Sequence, residues 1–166
     1  MLEVHVPKGL EVQLLSSALI FLMKLTSPAF TNSESIPAIY SCKEKGISPE
    51  LSFFDTPENA KSLALIMHDP DAPMPGGFTH WVLYNIDPKT KGIAENSFGG
   101  AQGVNSSSEI GYMGPCPPSG THRYFFTVYA LDSRLDFSSP PTKRELEEKM
   151  KNHIIDQAEL IGTFSK

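Results

Sequence analysis

Two proline-rich turns, each followed by a strand-like run, constrain the fold of this chain most strongly. The first turn, DPDAP at 69–73, precedes FTHWVLYNI at 78–86, and the second, GPCPPSG at 114–120, precedes HRYFFTVYAL at 122–131. Proline interrupts a strand ladder because it has no N–H to donate, whereas aromatic and β-branched residues favour strands. The pattern therefore predicts two strands that each begin after a stiff turn.

The preceding and intervening segments also favour a mainly β fold. Residues 62–67, SLALIM, are a continuous apolar run typical of a strand covered on both faces. Residues 36–40, IPAIY, predict a strand in which Pro37 marks an edge or a start. The polar residues 89–108 predict a long surface loop with a short strand or two.

The C-terminal region changes to a helical period. Thr142 followed by Glu145 is a capping-box pattern, and Gly162 is a natural stop residue. Apolar residues recur between them at helical spacing, at Leu146, Met150, Ile154, Ala158 and Ile161. We therefore predict a helix over Thr142–Ile161 that packs against the sheet, with His153 partly exposed beside the apolar stripe.

Length and charge limit the function. A chain of 166 residues favours one domain, and a formal net charge of -5 argues against nonspecific nucleic-acid binding and against an anionic membrane surface. The two cysteines, Cys42 and Cys116, form no CxxC motif, so no metal site is predicted. A disulfide between them is one alternative, and reduced, buried cysteines are the simpler interpretation.

The N-terminal residues allow several interpretations. The apolar run at 14–25 has the length of a signal-peptide core but lacks a basic flank and a cleavage motif. Met23 could instead be the natural start, or the run could be an ordinary helix or strand. We predict that residues 1–24 are an extension or a misassigned start and that 25–166 form a single domain. The expected compartment is the cytoplasm, or the periplasm or exterior if 1–24 act as a signal peptide.

Polar side chains beside the two turns are the candidates for chemistry. Asp69 ends one predicted strand and His80 begins the next, so both lie at the same end of the sheet. Alternation places His122 and Tyr124 together on one face of their own strand. If that strand lies close by, two imidazoles and a phenol converge on Asp69 and provide hydrogen-bond donors for a small anion.

Structural roles are the competing interpretation of these residues. The DPDAP segment, including Asp71, could be only a turn, and a single histidine at a strand start is more often structural. Arg123 lies on the face opposite His122, which favours an ion pair over ligand contact. Alternation along 78–86 places His80 with Val82 on one face and Trp81 on the other, in the core.

The order and separation of these motifs resemble the phosphatidylethanolamine-binding protein (PEBP) family, and more closely its bacterial and archaeal Raf kinase inhibitor-like branch. The resemblance rests on DPDAP, FTHW and GPCPPSGTHRY and covers roughly residue 25 to the end. It implies a mainly β (α+β) PEBP-like fold with a large antiparallel sheet, a smaller second sheet and a C-terminal helix. It also implies a ligand-binding pocket made by Asp69, His80, Pro118, His122 and Tyr124, with Asp71, Ala72 and Pro73 as wall and support.

Three functions are compatible with this sequence. The leading hypothesis is a non-enzymatic binding module for a small anionic or phosphate-type ligand, without a cofactor or metal, which could act in regulation. The alternative is an inhibitor of a protein partner, either a serine protease or a kinase. A hydrolase is the third hypothesis, since Asp, His and Tyr side chains can perform acid–base catalysis.

Overall fold

The structure is a computed structural model that describes residues 22–166. Within that range the chain forms eight strands and one α-helix. In chain order these are β1 (Lys24–Thr26), β2 (Leu51–Phe54), β3 (Ser62–Asp69), β4 (Phe78–Ile86), β5 (Gly92–Ile93), β6 (Ala101–Gln102), β7 (Thr121–Leu131), α1 (Lys143–Met150) and β8 (Ile154–Ser165).

The strands form two antiparallel sheets. The large sheet has five strands in the order β6-β4-β3-β7-β8, and the smaller one has three in the order β1-β2-β5. The predicted fold class, mainly β with a large antiparallel sheet, a smaller second sheet and a C-terminal helix, is confirmed. Between residues 22 and 166, no helix has the length and apolar character needed to span a membrane.

Strand β3 occupies the centre of the large sheet and is covered on both faces, as its continuous apolar run predicted. On one face Met67 packs with Trp81 and Phe126, in a core that also includes residues of the smaller sheet. On the other face Ile66 and Val82 pack against side chains of α1. Both cores therefore use side chains from the same central strand.

The helix predicted over Thr142–Ile161 is wrong in its second half. The capping box forms as expected, because Thr142 Oγ1 accepts from the Glu145 N–H and the Glu145 carboxylate accepts from the Thr142 N–H. However, α1 ends at Met150, and β8 follows and pairs along β7. The spacing of four that links Met150, Ile154 and Ala158 is also even, so it fits alternation along a strand as well as a helical period, whereas Ile161 has the opposite parity. Long-range ladder hydrogen bonds with β7 decide the outcome.

The strand predicted at 36–40 is also wrong. Residues Ala38–Tyr40 form a 3₁₀ turn after Pro37, although the Ile36 N–H donates to the Thr163 carbonyl of β8 at 2.8 Å. The chain pairs with the edge strand β8 through backbone hydrogen bonds of Ser33, Glu34 and Ile36, and Pro37, which cannot donate, ends this pairing.

The loop predicted at 89–108 contains the two short strands β5 and β6, as expected. Most of the predicted extension over residues 1–24 lies outside the described residues. At the start of the described part, the backbone N–H groups of Leu22 and Met23 each donate to Asp156 Oδ2 at 3.1 Å, and the Met23 side chain is buried.

Gly162 provides a test of the β8 packing. A Cβ atom there would lie 2.7 Å from Ile36 Cδ1 and 2.8 Å from Phe30 Cε2, closer than real contacts allow. We expect Gly162→Val to lower the free energy of unfolding by about 1–3 kcal/mol, as overpacking does. Urea unfolding measures the change, with Gln157→Val, an exposed position on the same strand, as the matched control. Equal stability of both variants would contradict the packing described here.

Candidate ligand-binding pocket

A cavity of about 310 Å³ opens at one end of the large sheet, where β3 ends and β4 and β7 begin. Seven of the eight residues predicted from the sequence line it: Asp69, Ala72, Pro73, His80, Pro118, His122 and Tyr124. Sequence reasoning missed the other lining residues, which are Met74, Phe78, Ser107, Met113, Gly114, Cys116 and Pro117. Gly114, Cys116 and Pro117 lie within the second turn motif, so that motif was the signal that could have identified them.

A β-bulge directs His80 into this cavity. In the pairing of β3 with β4, Met67 is opposite Trp81 but His68 is opposite Thr79, so His80 is the extra residue. Bulges redirect side chains and are common beside functional sites. His80 therefore lies on the same side of the sheet as Trp81, and the prediction that strict alternation groups it with Val82 is wrong.

Four polar lining residues, Asp69, His80, His122 and Tyr124, form what we call the pocket floor. Asp69 and His122 are a buried pair within it. The Nδ1 atom of His122 lies 2.7 Å from Asp69 Oδ2, and both side chains are almost fully buried. The other carboxylate oxygen, Asp69 Oδ1, accepts from the Asp71 N–H at 2.8 Å, which closes the turn after β3. The carboxylate thus fixes the imidazole ring and leaves Nε2 as the remaining polar atom of His122.

His80 has a defined tautomer. Its Nδ1 atom lies 2.8 Å from the Met113 carbonyl oxygen, which can only accept, so Nδ1 carries the hydrogen. Burial lowers the pKa of His80 to about 4, against the opposing effects of the Met113 carbonyl and the Asp69 carboxylate. At neutral pH the ring is therefore uncharged, and its Nε2 atom is a hydrogen-bond acceptor.

Tyr124 contributes a hydroxyl group without a partner. Its side chain is fully buried, and its Oη atom makes no hydrogen bond within residues 22–166. The Tyr124 ring packs edge-on against the His80 ring, with centroids 5.2 Å apart. Burial, followed by the nearby Asp69 charge, raises the pKa of Tyr124, so the hydroxyl keeps its hydrogen and is available as a donor.

Asp71 supports the turn from outside the cavity. Its carboxylate accepts from the Arg123 backbone N–H at 2.9 Å and from the guanidinium Nε and Nη2 at 2.9 and 2.8 Å. These bonds to Arg123 lower the pKa of Asp71 to about 2. The ion pair expected for Arg123 is thus present, and Asp71 fastens the first turn to the start of β7 instead of lining the pocket.

A disulfide between Cys42 and Cys116 reinforces the second turn, so the interpretation of both cysteines as reduced is wrong. The Cys42 N–H also donates to the Pro115 carbonyl at 3.1 Å. Gly114 allows this close approach, because a Cβ atom there would lie 2.6 Å from the Tyr40 carbonyl oxygen. The two cysteines are 74 residues apart, and their pairing could not be deduced from spacing.

We expect loss of the disulfide to destabilise the protein and to loosen the pocket wall. Crosslinks of this kind typically contribute about 2–4 kcal/mol. The Cys42→Ser/Cys116→Ser double variant should lose about this much free energy of unfolding in urea. Reductant should produce a similar loss in the unsubstituted protein and none in the double variant. Unchanged stability of fully reduced protein would contradict this role.

The low pKa of His80 predicts acid destabilisation. The ordinary pKa of about 6.5 applies to the unfolded chain, so stability from neutral His80 is complete above that value and falls as pH decreases toward about 4. The loss should reach about 2–3 kcal/mol. Among the groups that act on His80, the Asp69 carboxylate opposes the low pKa, whereas His68 and His122, when protonated, reinforce it.

Urea unfolding at about pH 7 and about pH 4 measures this effect. His80→Asn retains a donor for the Met113 carbonyl but does not titrate, so its stability should fall less over the same interval. His153→Asn removes an exposed histidine that pairs with Asp132, and it serves as the matched control. If His80→Asn shows the full pH dependence of the unsubstituted protein, another group is responsible.

Known proteins are similar to this chain in sequence and in fold. The family model described as phosphatidylethanolamine-binding protein matches residues 26–165. The UPF0098 protein of Chlamydia trachomatis is 48% identical over 149 residues, covering 87% of this chain and 99% of that protein. A UPF0098 protein of Methanothermobacter thermautotrophicus is 46% identical over 151 residues, with 87% and 99% covered.

Solved structures agree with the sequence matches. The crystal structure of CT736 from Chlamydia trachomatis, described as a PEBP homologue, superposes with a TM-score of 0.84 at 48% identity, covering 87% of this chain and 97% of that one. Escherichia coli YbcL, described as a member of the mammalian PEBP family, gives a TM-score of 0.81 at 26% identity, with 87% and 98% covered. The chain therefore belongs to the phosphatidylethanolamine-binding protein family.

Proposed function

We propose that this protein is a non-enzymatic binding module that takes a small anionic, phosphate-type group into the pocket between the two turns. The observation that carries the proposal is the buried Tyr124 hydroxyl, which has no hydrogen-bond partner within residues 22–166. Such a donor is costly to leave unpaired, by about 1–3 kcal/mol, and an oxygen atom of an entering ligand would satisfy it. The pocket is thus suited to an oxyanion.

The form of the pocket supports binding of one small polar group. Its lining combines the polar residues Asp69, His80, His122 and Tyr124 with five apolar ones: Met74, Phe78, Met113, Pro117 and Pro118. Apolar surroundings lower the local dielectric and so strengthen hydrogen bonds to a bound group. The prolines of both turns reduce the ordering cost of binding. The family is named for phosphatidylethanolamine, a phospholipid whose head group contains a phosphate. We propose that a phosphate-type group is also what this chain binds.

Among residues 22–166, neither hydroxyl group that lines the pocket is paired with a histidine base. His122 has Asp69 as its side-chain partner, and no hydroxyl lies within hydrogen-bond distance of the imidazole. Ser107 also lines the cavity, but its Oγ atom contacts Met113 Sδ at 3.4 Å. Over residues 22–166, no group of three or more His, Cys, Asp or Glu side chains could hold a metal ion. These observations favour binding over turnover.

Replacement of Tyr124 by Phe tests the proposal. We expect about tenfold weaker binding of inorganic phosphate, because one hydrogen bond is lost, together with unchanged or increased stability of the free protein. NMR titration of the histidine rings with phosphate, phosphoethanolamine and a nucleotide measures the affinity. Tyr129→Phe, on the same strand but in the other core, is the matched control and should bind normally.

The ring signals report where the ligand binds. We expect the His80 and His122 signals to shift and the His153 signal to stay constant, because His153 lies outside the lining of the cavity. If none of the three ligands shifts His80 or His122, the proposal is wrong. The alternative of an inhibitor of a protein partner would then be favoured.

A further inference from the structure

We propose that the pocket selects oxyanions that carry an acidic hydrogen, and that this hydrogen is donated to His80 Nε2. The inference rests on the proposed function and specifies its ligand class: a phosphate or phosphate monoester that retains one P–OH group. Fully deprotonated oxyanions of the same size and charge, such as sulfate, should bind less tightly.

The hydrogen-bond polarity of His80 is fixed by its neighbour. The Met113 carbonyl engages Nδ1 and requires a hydrogen there, so Nε2 carries a lone pair while the ring is neutral. His80 Nε2 has no partner within residues 22–166, and His80 lines the cavity, so a ligand there can pair with this atom. An unprotonated oxygen placed against this lone pair would be repelled, whereas a hydroxyl would donate to it.

The other polar atoms of the floor differ from His80 Nε2. The Tyr124 hydroxyl is a donor and suits an unprotonated ligand oxygen. Asp69 engages only Nδ1 of His122, so the Nε2 atom of that ring is a further polar atom that a ligand can contact. Asp69 is an acceptor too, but each of its carboxylate oxygens already has a partner, in His122 and in the Asp71 N–H. His80 Nε2 is an acceptor without a partner within residues 22–166, and it sets the requirement for a donor on the ligand.

The lining of the cavity carries no Lys or Arg side chain among the described residues, and Asp69 contributes a carboxylate. The Arg123 guanidinium, although next to His122 in the chain, lies outside the cavity lining, where it pairs with Asp71. A multiply charged anion enters such a site at a high desolvation cost, whereas a proton on the ligand lowers its charge. Charge and hydrogen-bond polarity thus favour the same form of the ligand.

Two matched anion pairs test the inference by isothermal titration calorimetry. Inorganic phosphate and sulfate at about pH 8 are both mainly dianions, and methyl phosphate and methyl sulfate at about pH 5 are both mainly monoanions. Within each pair the charge and shape are similar, and only the phosphorus compound carries an O–H group. We expect the phosphorus compound to bind at least about tenfold more tightly in each pair, because sulfate would leave the His80 acceptor unpaired.

The variant His80→Asn tests whether His80 causes the preference for the phosphorus compounds. The shorter side chain can still donate to the Met113 carbonyl but offers no acceptor at the position of Nε2, so the preference should fall to about twofold or less. His153→Asn should keep the full preference. Selectivity that persists in His80→Asn would overturn the assignment.

A measurement on the unsubstituted protein makes the test independent of how His80→Asn folds. The nitrogen-15 signal of His80 Nε2 should remain that of an unprotonated nitrogen after phosphate is added, and a protonated Nε2 would overturn the inference. Equal affinity for sulfate and phosphate would also overturn it but would leave the proposed function standing. If none of the four anions binds, the proposed function itself fails.

Discussion

The antiparallel pairing of β7 with β3 is the interaction on which the rest of the structure depends. β7 contacts β3 on one side and β8 on the other, and the β3 ladder continues from Ser62 to His68. This register brings the end of β3 to the start of β7, so Asp69 and His122 meet at 2.7 Å although 53 residues separate them. The pocket floor is thus a consequence of strand register, and the two turns close it from either side.

The pocket contains two buried polar groups with different energetic consequences. Burial keeps His80 neutral, which costs stability only at acidic pH, where the unfolded chain binds a proton that the folded chain does not. The Tyr124 hydroxyl is buried without a partner within residues 22–166, which costs free energy in the free protein, and a suitable ligand would remove that cost. The supporting elements compensate: the Asp71–Arg123 pair fastens the first turn, and the Cys42–Cys116 disulfide fastens the second. Stiff turns hold an otherwise unfavourable floor in place.

Much of this arrangement could be predicted from the sequence because local signals agreed with the global fold. The end of β3, the bounds of β4 and the start of β7 are marked by prolines and glycines, and these ends carry Asp69, His80 and His122. Convergence of the three side chains needed only the assumption that neighbouring strands meet at one end. The role of Asp71 could not be predicted in this way, because only the folded chain shows that its carboxylate pairs with Arg123.

The failures share a different cause, namely contacts between residues distant in sequence. The bulge at His80 is a property of how β3 and β4 pair, and strict alternation cannot reveal it. Likewise, β8 has an apolar spacing that a helix or a strand could use, and pairing with β7 decides between them. The disulfide depends on the approach of two loops 74 residues apart.

The bulge matters most for function, because it places His80 beside Tyr124 without removing Trp81 from the core. With regular alternation, one of the two side chains would have to lie on the opposite face of the sheet. One extra residue therefore lets the strand keep its packing and still present a neutral imidazole to the cavity. The donor Tyr124 and the acceptor His80 are neighbours in the floor for this reason. We therefore propose that their opposite hydrogen-bond polarity, rather than net positive charge, makes the pocket suited to an oxyanion.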